Sequence, residues 1–295
     1  MHFLRRFRYA CVCSVLLGVL PPSAAAALDK QASAHGGMLG GAASGFGVSS
    51  SLLAGVAIFN PTYAARPNNT GHALFRLAPH ADIDLIGSRL SIPIDLNLFT
   101  DRDRPGAAKL VPSELDVISG VTSTWPLGPT ALELGARGEA DLPVDRPGAK
   151  QAYADARARL LFALAKFWPG LQDGLRGGDI TGSATLGWFV LNPSYAARPD
   201  NTGRALLRYA LHLNAGFAER VFIAFDATFF TDRRTNALAP SELDITPEIG
   251  VTIVDGFNAH LAYERDMPLD RGGVVQHFLQ LYVTWDFTWI ENPNG

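Results

Sequence analysis

The chain has 295 residues, 47% of them hydrophobic, and a formal net charge of −3. Loss of the first 27 residues as a signal peptide would remove three arginines and leave 22 basic against 28 acidic side chains, a net charge of −6. An acidic chain argues against a nucleic-acid partner. The two cysteines, Cys11 and Cys13, lie in that first segment, so the mature chain is expected to have neither a disulfide nor thiolate chemistry.

The first 27 residues have the layout of a secretory signal peptide. Arg5, Arg6 and Arg8 give a basic start, an apolar stretch follows, and the segment ends in alanines up to Ala27. The apolar stretch is too short to cross a membrane as a stable helix. We predict an exported protein with a signal peptide over 1–27, a flexible leader over 28–43 and a single domain over 44–295.

Alternating apolar and polar residues predict twelve β-strands in this domain. Residues 89–101 show the pattern, because leucines and isoleucines at every second position alternate with Ser91, Pro93, Asp95 and Asn97. A period of two over about ten residues is typical of a strand with one apolar face. The predicted strands, in chain order, are 46–59, 72–85, 89–101, 114–125, 130–141, 151–164, 179–191, 204–217, 220–232, 242–254, 257–267 and 275–287.

The second half of the domain repeats the first. The phrase "NPTYAARPNNTG" from Asn60 returns as "NPSYAARPDNTG" from Asn192, and from these asparagines onward thirteen of seventeen positions are identical. The phrase "PSELD" also occurs twice, and the offset between matching positions falls from 132 to 125 along the chain. Such a period is too long for a solenoid unit, which has about 20–50 residues. We predict two six-stranded repeats, 44–165 and 178–287, related by a pseudo-twofold axis.

Three features favour a transmembrane barrel over a soluble exported β-protein, in which the apolar faces would meet in a core. The predicted strands have about the ten residues that a tilted membrane strand needs. Tight connections such as "IGSR", "PLGP" and "VDGF" alternate with longer ones, which is common in such barrels. Aromatic residues gather near strand ends, as in interfacial girdles, at Phe59, Tyr63, Trp125, Trp188, Tyr195, Phe229, Phe230, Trp285, Phe287 and Trp289.

The domain resembles a Gram-negative outer-membrane β-barrel of the porin-like kind. Its end, "QLYVTWDF", is similar to the assembly signal of these barrels, although the chain continues eight residues beyond Phe287 to Gly295. No narrower family is indicated. With the strand count, the resemblance implies an all-β, twelve-stranded antiparallel transmembrane barrel in the outer membrane, with membrane lipid as one partner and small polar solutes as another.

If the N-terminus is periplasmic, the repeated phrases and the other long connections fall at the outer mouth. Charged residues at this mouth, and on the polar strand faces that would line the interior, form matching sets in the two halves. Either these residues pair with one another and stabilise loops and interior, or they form a constriction that filters ions or polar solutes. The candidate pore and mouth residues are Arg66, Arg198, Asp101, Arg102, Asp232, Arg233, Glu114, Asp116, Glu242, Asp244, Arg76, Arg208, His80, His212, Asp95, Asp226, Glu139 and Glu264.

A twelve-stranded barrel lies in size between small barrels filled by side chains and wide aqueous porins. We expect a narrow passive channel for small polar solutes or ions. A non-conducting structural or surface-interaction barrel is the alternative, and an outer-membrane lipid hydrolase is a third possibility. The hydrolase would use His277 with Ser113 or Ser241, a combination without a supporting motif. The sequence contains no metal-ligand spacing and no cofactor-binding pattern, so neither group is expected, and it indicates no oligomeric state.

Overall fold

The structure is a computed structural model that describes most of the predicted domain. It covers residues 46–59, 73–86, 89–103, 105–144, 151–175, 178–191, 205–217, 220–232, 238–269 and 275–290. The predicted signal peptide and leader lie outside the described residues, as do Arg66, Arg198 and Arg233. None of the helical turns in the described ranges combines the length and the hydropathy of a membrane-spanning helix.

Twelve antiparallel strands form one closed barrel. Each strand pairs with its neighbours in sequence, and the last strand pairs with the first. The all-β, twelve-stranded fold is therefore confirmed, and the predicted strand bounds differ from the observed ones by at most three residues. The strands are β1 (Gly47–Phe59), β2 (Ala73–Asp84), β3 (Leu90–Asp101), β4 (Pro112–Leu127), β5 (Thr130–Pro143), β6 (Gln151–Ala163), β7 (Ile180–Leu191), β8 (Ala205–Phe217), β9 (Val221–Asp232), β10 (Pro240–Val254), β11 (Phe257–Pro268) and β12 (Gln276–Ile290).

The two ends of the barrel differ in their connections. The end that contains the start of β1 and the end of β12 is called the turn end here. Gly128 (φ 65) and Gly256 (φ 74) lie in its β4–β5 and β10–β11 turns, with the positive φ that favours glycine. The β6–β7 connection, also at this end, is longer and contains the helical turn α1 (Leu171–Gly174). The opposite end is called the loop end, and its connections include those with the two repeated phrases.

The strands have an apolar outer face and a polar inner face. On β9, Val221, Ile223 and Phe225 are exposed on the outside, whereas Ala224 is buried and Asp226 faces the cavity inside the barrel. The buried side chains of the whole barrel are mostly polar or charged, and the exposed ones include many large hydrophobic residues. This polarity is the reverse of that of a soluble protein and defines a transmembrane barrel. The soluble alternative is therefore excluded.

Two glycines on inward-facing strand positions make room for aromatic rings. A Cβ atom added to Gly250 would lie 2.0 Å from Cζ of Phe222, and one added to Gly55 would lie 2.6 Å from Cβ of Tyr282. The ring of Phe222 and the Cβ atom of Tyr282 therefore lie directly against the backbone of a neighbouring strand. A strand glycine commonly marks such a close approach. The interior on this side of the barrel is lined by flat rings.

Candidate functional site

The candidate site is the interior of the barrel, called the lumen here. A cavity of about 410 Å³ lies at its centre and is lined by side chains from every strand except β7. Ligand pockets for small molecules begin at roughly 300 Å³, so the cavity has room for a small solute and its water. Its lining includes eight of the eighteen predicted residues, namely Arg76, His80, Asp95, Arg208, His212, Asp226, Asp244 and Glu264.

Two histidine–aspartate pairs occupy matching positions in the two halves of the barrel. Nδ1 of His80 on β2 lies 2.7 Å from Oδ1 of Asp95 on β3, and Nδ1 of His212 on β8 lies 2.8 Å from Oδ1 of Asp226 on β9. Nε2 of His80 also lies 2.8 Å from Asp82. Both histidines are buried. Each pair crosslinks neighbouring strands, and the two histidines do not pair with each other.

The matching arginines of β2 and β8 have different surroundings. Arg76 donates two hydrogen bonds to Oδ1 of Asn97, at 3.0 and 2.7 Å, and lies 5.8 Å from the ring centroid of Phe99. Thr228 occupies the position that matches Asn97. Arg208 makes no hydrogen bond or ion pair with another described residue. Arg208 therefore presents its charge to the cavity.

A charged wall on β5 and β6 was missed by the sequence analysis, except for Glu139. Arg159 forms a buried ion pair with Glu133, and Arg137 donates to Glu139 at 2.6 Å. Arg157 faces Gly135 on one side and Gly187 on the other, and among the described residues it has no hydrogen-bond or ion-pair partner. The signal was present in "YADARARL", where charged residues alternate with alanine. It was passed over because the second half contains no matching charges.

A hydrogen-bonded wall on β10, β11 and β12 was also missed. Nδ1 of His260 lies 2.7 Å from Glu248, and its Nε2 contacts the hydroxyl of Thr284. Tyr282 donates to the same carboxylate and stacks on His260 with ring centroids 4.4 Å apart. The order hydroxyl, imidazole and carboxylate resembles a hydrolytic triad. However, Thr284 is only 1% exposed, and the network fits a clamp between strands better than a nucleophile that must reach a substrate.

The loop end of the lumen is lined by carboxylates. Five of the predicted mouth residues, Asp101, Glu114, Asp116, Asp232 and Glu242, are buried at the ends of their strands. Carboxylate oxygens of Asp116, Glu139 and Asp141 lie within 4.8 Å of one another. Oxygen ligands of this kind suit a hard divalent cation, but an acidic cluster alone does not establish a metal site. Arg102, also predicted at the mouth, donates to the backbone carbonyl of Ala57.

Serine and threonine hydroxyls at the loop end bind the backbone in both halves. Ser113 donates to the carbonyl of Phe99 at 3.1 Å, and Ser241 donates to that of Phe230 at 3.2 Å. Both serines are 1% exposed. A buried hydroxyl that already donates to a carbonyl is poorly placed to act as a nucleophile. These serines therefore act as strand crosslinks, and the geometry gives no support to the hydrolase alternative.

His277 points outward and contacts another aromatic side chain. Its Nδ1 lies 2.7 Å from the hydroxyl of Tyr263 on the neighbouring strand, with ring centroids 6.1 Å apart. Arg265 lies directly opposite His277 in the β11–β12 register. This outer-face cluster is separate from the lumen, because inward and outward positions alternate along each strand.

No protein-family model matches the chain, and no curated protein matches its sequence. Solved outer-membrane barrels are similar in shape at low identity. The KdgM porin has 7% identity and a TM-score of 0.45, over 81% of this chain and 99% of that chain. The outer membrane phospholipase A from Escherichia coli has 8% identity and a TM-score of 0.47, over 80% and 92%. An outer membrane channel from Pseudomonas putida F1 has 10% identity and a TM-score of 0.41, over 85% and 98%.

The class of the protein follows from its own architecture. The three neighbours include two channels and one enzyme, and similarity at this level carries no argument about function. A closed barrel with an even number of antiparallel strands, an apolar outside and a polar inside is the arrangement of an outer-membrane β-barrel. The chain is therefore a transmembrane β-barrel of the outer-membrane type.

Proposed function

We propose that the protein is a narrow passive channel for small polar solutes or ions. One observation carries the proposal, namely that a central cavity lined by charged and polar side chains lies inside a closed barrel with an apolar exterior. Polar side chains line the lumen of water-filled barrels, because solutes crossing them stay hydrated.

Side chains of both charge signs line the proposed pathway. The wall formed by β5, β6 and β8 contributes Arg137, Arg157 and Arg208 to the cavity lining. The wall formed by β9, β10 and β11 contributes carboxylates to the same lining, namely Asp226, Asp244, Glu248 and Glu264. Rings and clusters of charge at a constriction select ions by sign. We infer that Arg157 and Arg208 favour anions and that the carboxylates favour cations.

Conductance in a planar bilayer tests the channel. The refolded full-length protein should show small, long-lived current steps. Arg157→Glu should raise the permeability of potassium relative to chloride several-fold, because it replaces a positive charge in the cavity lining by a negative one. Arg89→Glu is the matched control, since Arg89 is exposed in the β2–β3 turn. The ratio of potassium to chloride permeability in this variant should stay near that of the parent protein. An unchanged ratio of potassium to chloride permeability in Arg157→Glu would contradict the proposed filter.

A closed structural barrel is the second candidate. The observation that favours it is the crosslinking of the lumen by ion pairs and by histidine–carboxylate contacts. A protein that migrates as a folded, heat-modifiable barrel in electrophoresis but never conducts would support this candidate and contradict the channel.

The orientation of the barrel is a separate part of the proposal. With the loop end outside, single cysteines at Asn69 and Asn201 should react with a membrane-impermeant thiol reagent on intact cells, whereas one at Gly87 should not. The mature chain offers no competing thiol if the predicted signal peptide is removed. The reverse labelling pattern would place the loop end in the periplasm.

The two repeated phrases, which begin at Asn60 and Asn192, are proposed to act as a pair at the mouth of the barrel. We propose that Arg66 and Arg198 each contact carboxylates of the neighbouring loop ends. In the double variant Arg66→Ala with Arg198→Ala, a filter predicts a shift of ion selectivity toward cations with the barrel intact. A purely structural role predicts unchanged selectivity and loops that proteases cleave faster. If neither property changes, the proposal for these arginines is wrong.

A further inference from the structure

The outer face of the strands that the structure describes carries a single full charge. Inward and outward positions alternate along each strand, and among the outward-facing strand positions of the described residues only Arg265 is an Arg, Lys, Asp or Glu. The assignment follows from its neighbours on β11, since Glu264 lines the cavity and Asp266 is buried. No carboxylate of the described outer face is therefore available to Arg265.

Arg265 lies near the loop end, close to the edge of the apolar band. Strand β11 ends three residues later, at Pro268, and β12 begins one residue before its partner His277. On the other side, Arg265 faces Ile245 of β10. Its Nε atom is buried without a hydrogen-bond partner, and it makes no ion pair with another described residue.

A charged side chain on this face is stabilised by a nearby anion, and a membrane lipid can supply one. An arginine that faces lipid is strongly destabilising at the middle of a bilayer and nearly neutral at the interface. Near the interface the guanidinium reaches the level of the lipid headgroups, where phosphate is the common anion. The planar fork of a guanidinium binds a phosphate through two parallel hydrogen bonds.

We propose that Arg265 binds the phosphate of a membrane lipid, with Tyr263 and His277 forming the wall of the site. The contact between Tyr263 and His277, at 2.7 Å, fixes two aromatic rings beside the arginine. The matching positions of the first half are Gly138, Ala140 and Ala152. The first half therefore lacks all three side chains, and the site lies on one side of the barrel. The proposal is independent of whether the lumen conducts.

Native mass spectrometry of the full-length protein in detergent tests the site. The probes are phosphatidic acid, which has an exposed phosphate, and phosphatidylcholine of the same chain length. The parent protein should retain one phosphatidic acid more tightly than phosphatidylcholine. Arg265→Gln should weaken the binding of phosphatidic acid about tenfold, because it removes a charged hydrogen-bonding partner, and should leave phosphatidylcholine and conductance unchanged.

Control variants separate this site from general charge effects and from misfolding. Arg89→Gln removes a charge from the exposed β2–β3 turn and should not alter lipid binding. His277→Gln should weaken phosphatidic acid binding less than Arg265→Gln, and heat-modifiable migration establishes that each variant is folded. Equal phosphatidic acid binding by Arg265→Gln and the parent protein would overturn the proposal. Displacement of the lipid by inorganic phosphate at equal concentration would show a free-phosphate site and would also overturn it.

Discussion

The wall on β5 and β6 and the hydrogen-bonded wall on β10, β11 and β12 lie in different halves of the barrel. Strands β5 and β6 match β11 and β12 in the repeat, yet different interactions stabilise the two walls. The first contains the ion pair between Arg159 and Glu133. The second contains His260 between Glu248, on the adjoining β10, and Thr284, with Tyr282 stacked on the imidazole. One wall is stabilised by full charges and the other by hydrogen bonds and ring stacking.

The loop end, in contrast, has the same contacts in both halves. The amide of Phe75 donates to Thr100 and the amide of Leu207 donates to Thr231, each at 3.0 Å. These contacts join a side chain to the backbone beside an irregularity in strand register. A change at one of them would leave a backbone group unpaired. A contact between two lumen side chains can be lost by changing both partners together, and the contacts of these two walls differ between the halves.

Glu133→Gln is the strongest test of the ion-paired wall. It leaves the positive charge of buried Arg159 without its carboxylate, and the loss of one partner of a buried ion pair costs about 3 kcal/mol or more. Urea unfolding of the barrel refolded in lipid vesicles measures the change in free energy. The double variant Glu133→Gln with Arg159→Gln should recover part of the loss, because neither member of the ion pair then remains as a buried charge without its partner. A double variant less stable than Glu133→Gln alone would contradict the claim that the ion pair stabilises this wall.

The histidine pairs give a matched test between the halves. His80 contacts both Asp82 and Asp95, whereas the position that matches Asp82 in the second half is the uncharged Asn214. His80→Ala should therefore destabilise the barrel by about 2 kcal/mol, since it leaves two carboxylates of the lumen close together. His212→Ala should cost about half of that. In the double variant His80→Ala with Asp82→Asn, the loss of stability should come closer to that of His212→Ala, because only one of the two carboxylates remains. Equal losses in the two single variants would contradict the predicted difference between the halves.

The strands were predictable because each one has an apolar face toward lipid and a polar face toward the lumen, which requires an alternating sequence. Apolar residues alternate with polar ones along the whole of each strand, as at Leu90–Asp101. The ends were less certain, and β12 continues three residues beyond its prediction, to Ile290. Register decides which side chains meet, and it depends on hydrogen bonds between strands that no single strand reveals.

The lumen was only partly predictable for the same reason. Asp95 and His80 were both expected to face inward, but their contact depends on the β2–β3 register, which contains an irregularity near Arg76. The correspondence between the halves indicated His80, His212, Asp95 and Asp226 as interior residues, but not their contacts. It missed Arg157 and His260, because each occurs in only one half. A comparison of the two repeats therefore indicates only residues that both halves contain. The side chains that form the two walls of the lumen differ between the halves, so this comparison does not indicate them.

Glu248→Gln tests the hydrogen-bonded wall with the same substitution as Glu133→Gln. An amide oxygen can still accept from His260 or Tyr282, so only the contribution of the charge is lost. The expected destabilisation is about 1 kcal/mol, against about 3 kcal/mol or more for Glu133→Gln. The two variants are compared in the same urea titration. A loss at Glu248 as large as that at Glu133 would show that the two walls are stabilised alike.

Ser113→Ala and Ser241→Ala test the part of the barrel that is the same in both halves, and they should give the smallest effects. Each variant removes one hydroxyl that donates to a backbone carbonyl, which is expected to cost about 1 kcal/mol. The two costs should be equal within the error of the titration. They should also add in the double variant, because the two serines lie in separate halves and share no partner. A loss at only one serine would mean that the loop ends have diverged as the walls have. A variant that keeps its stability but loses a lipid-hydrolysing activity would instead restore the enzyme alternative, which the burial of both hydroxyls argues against.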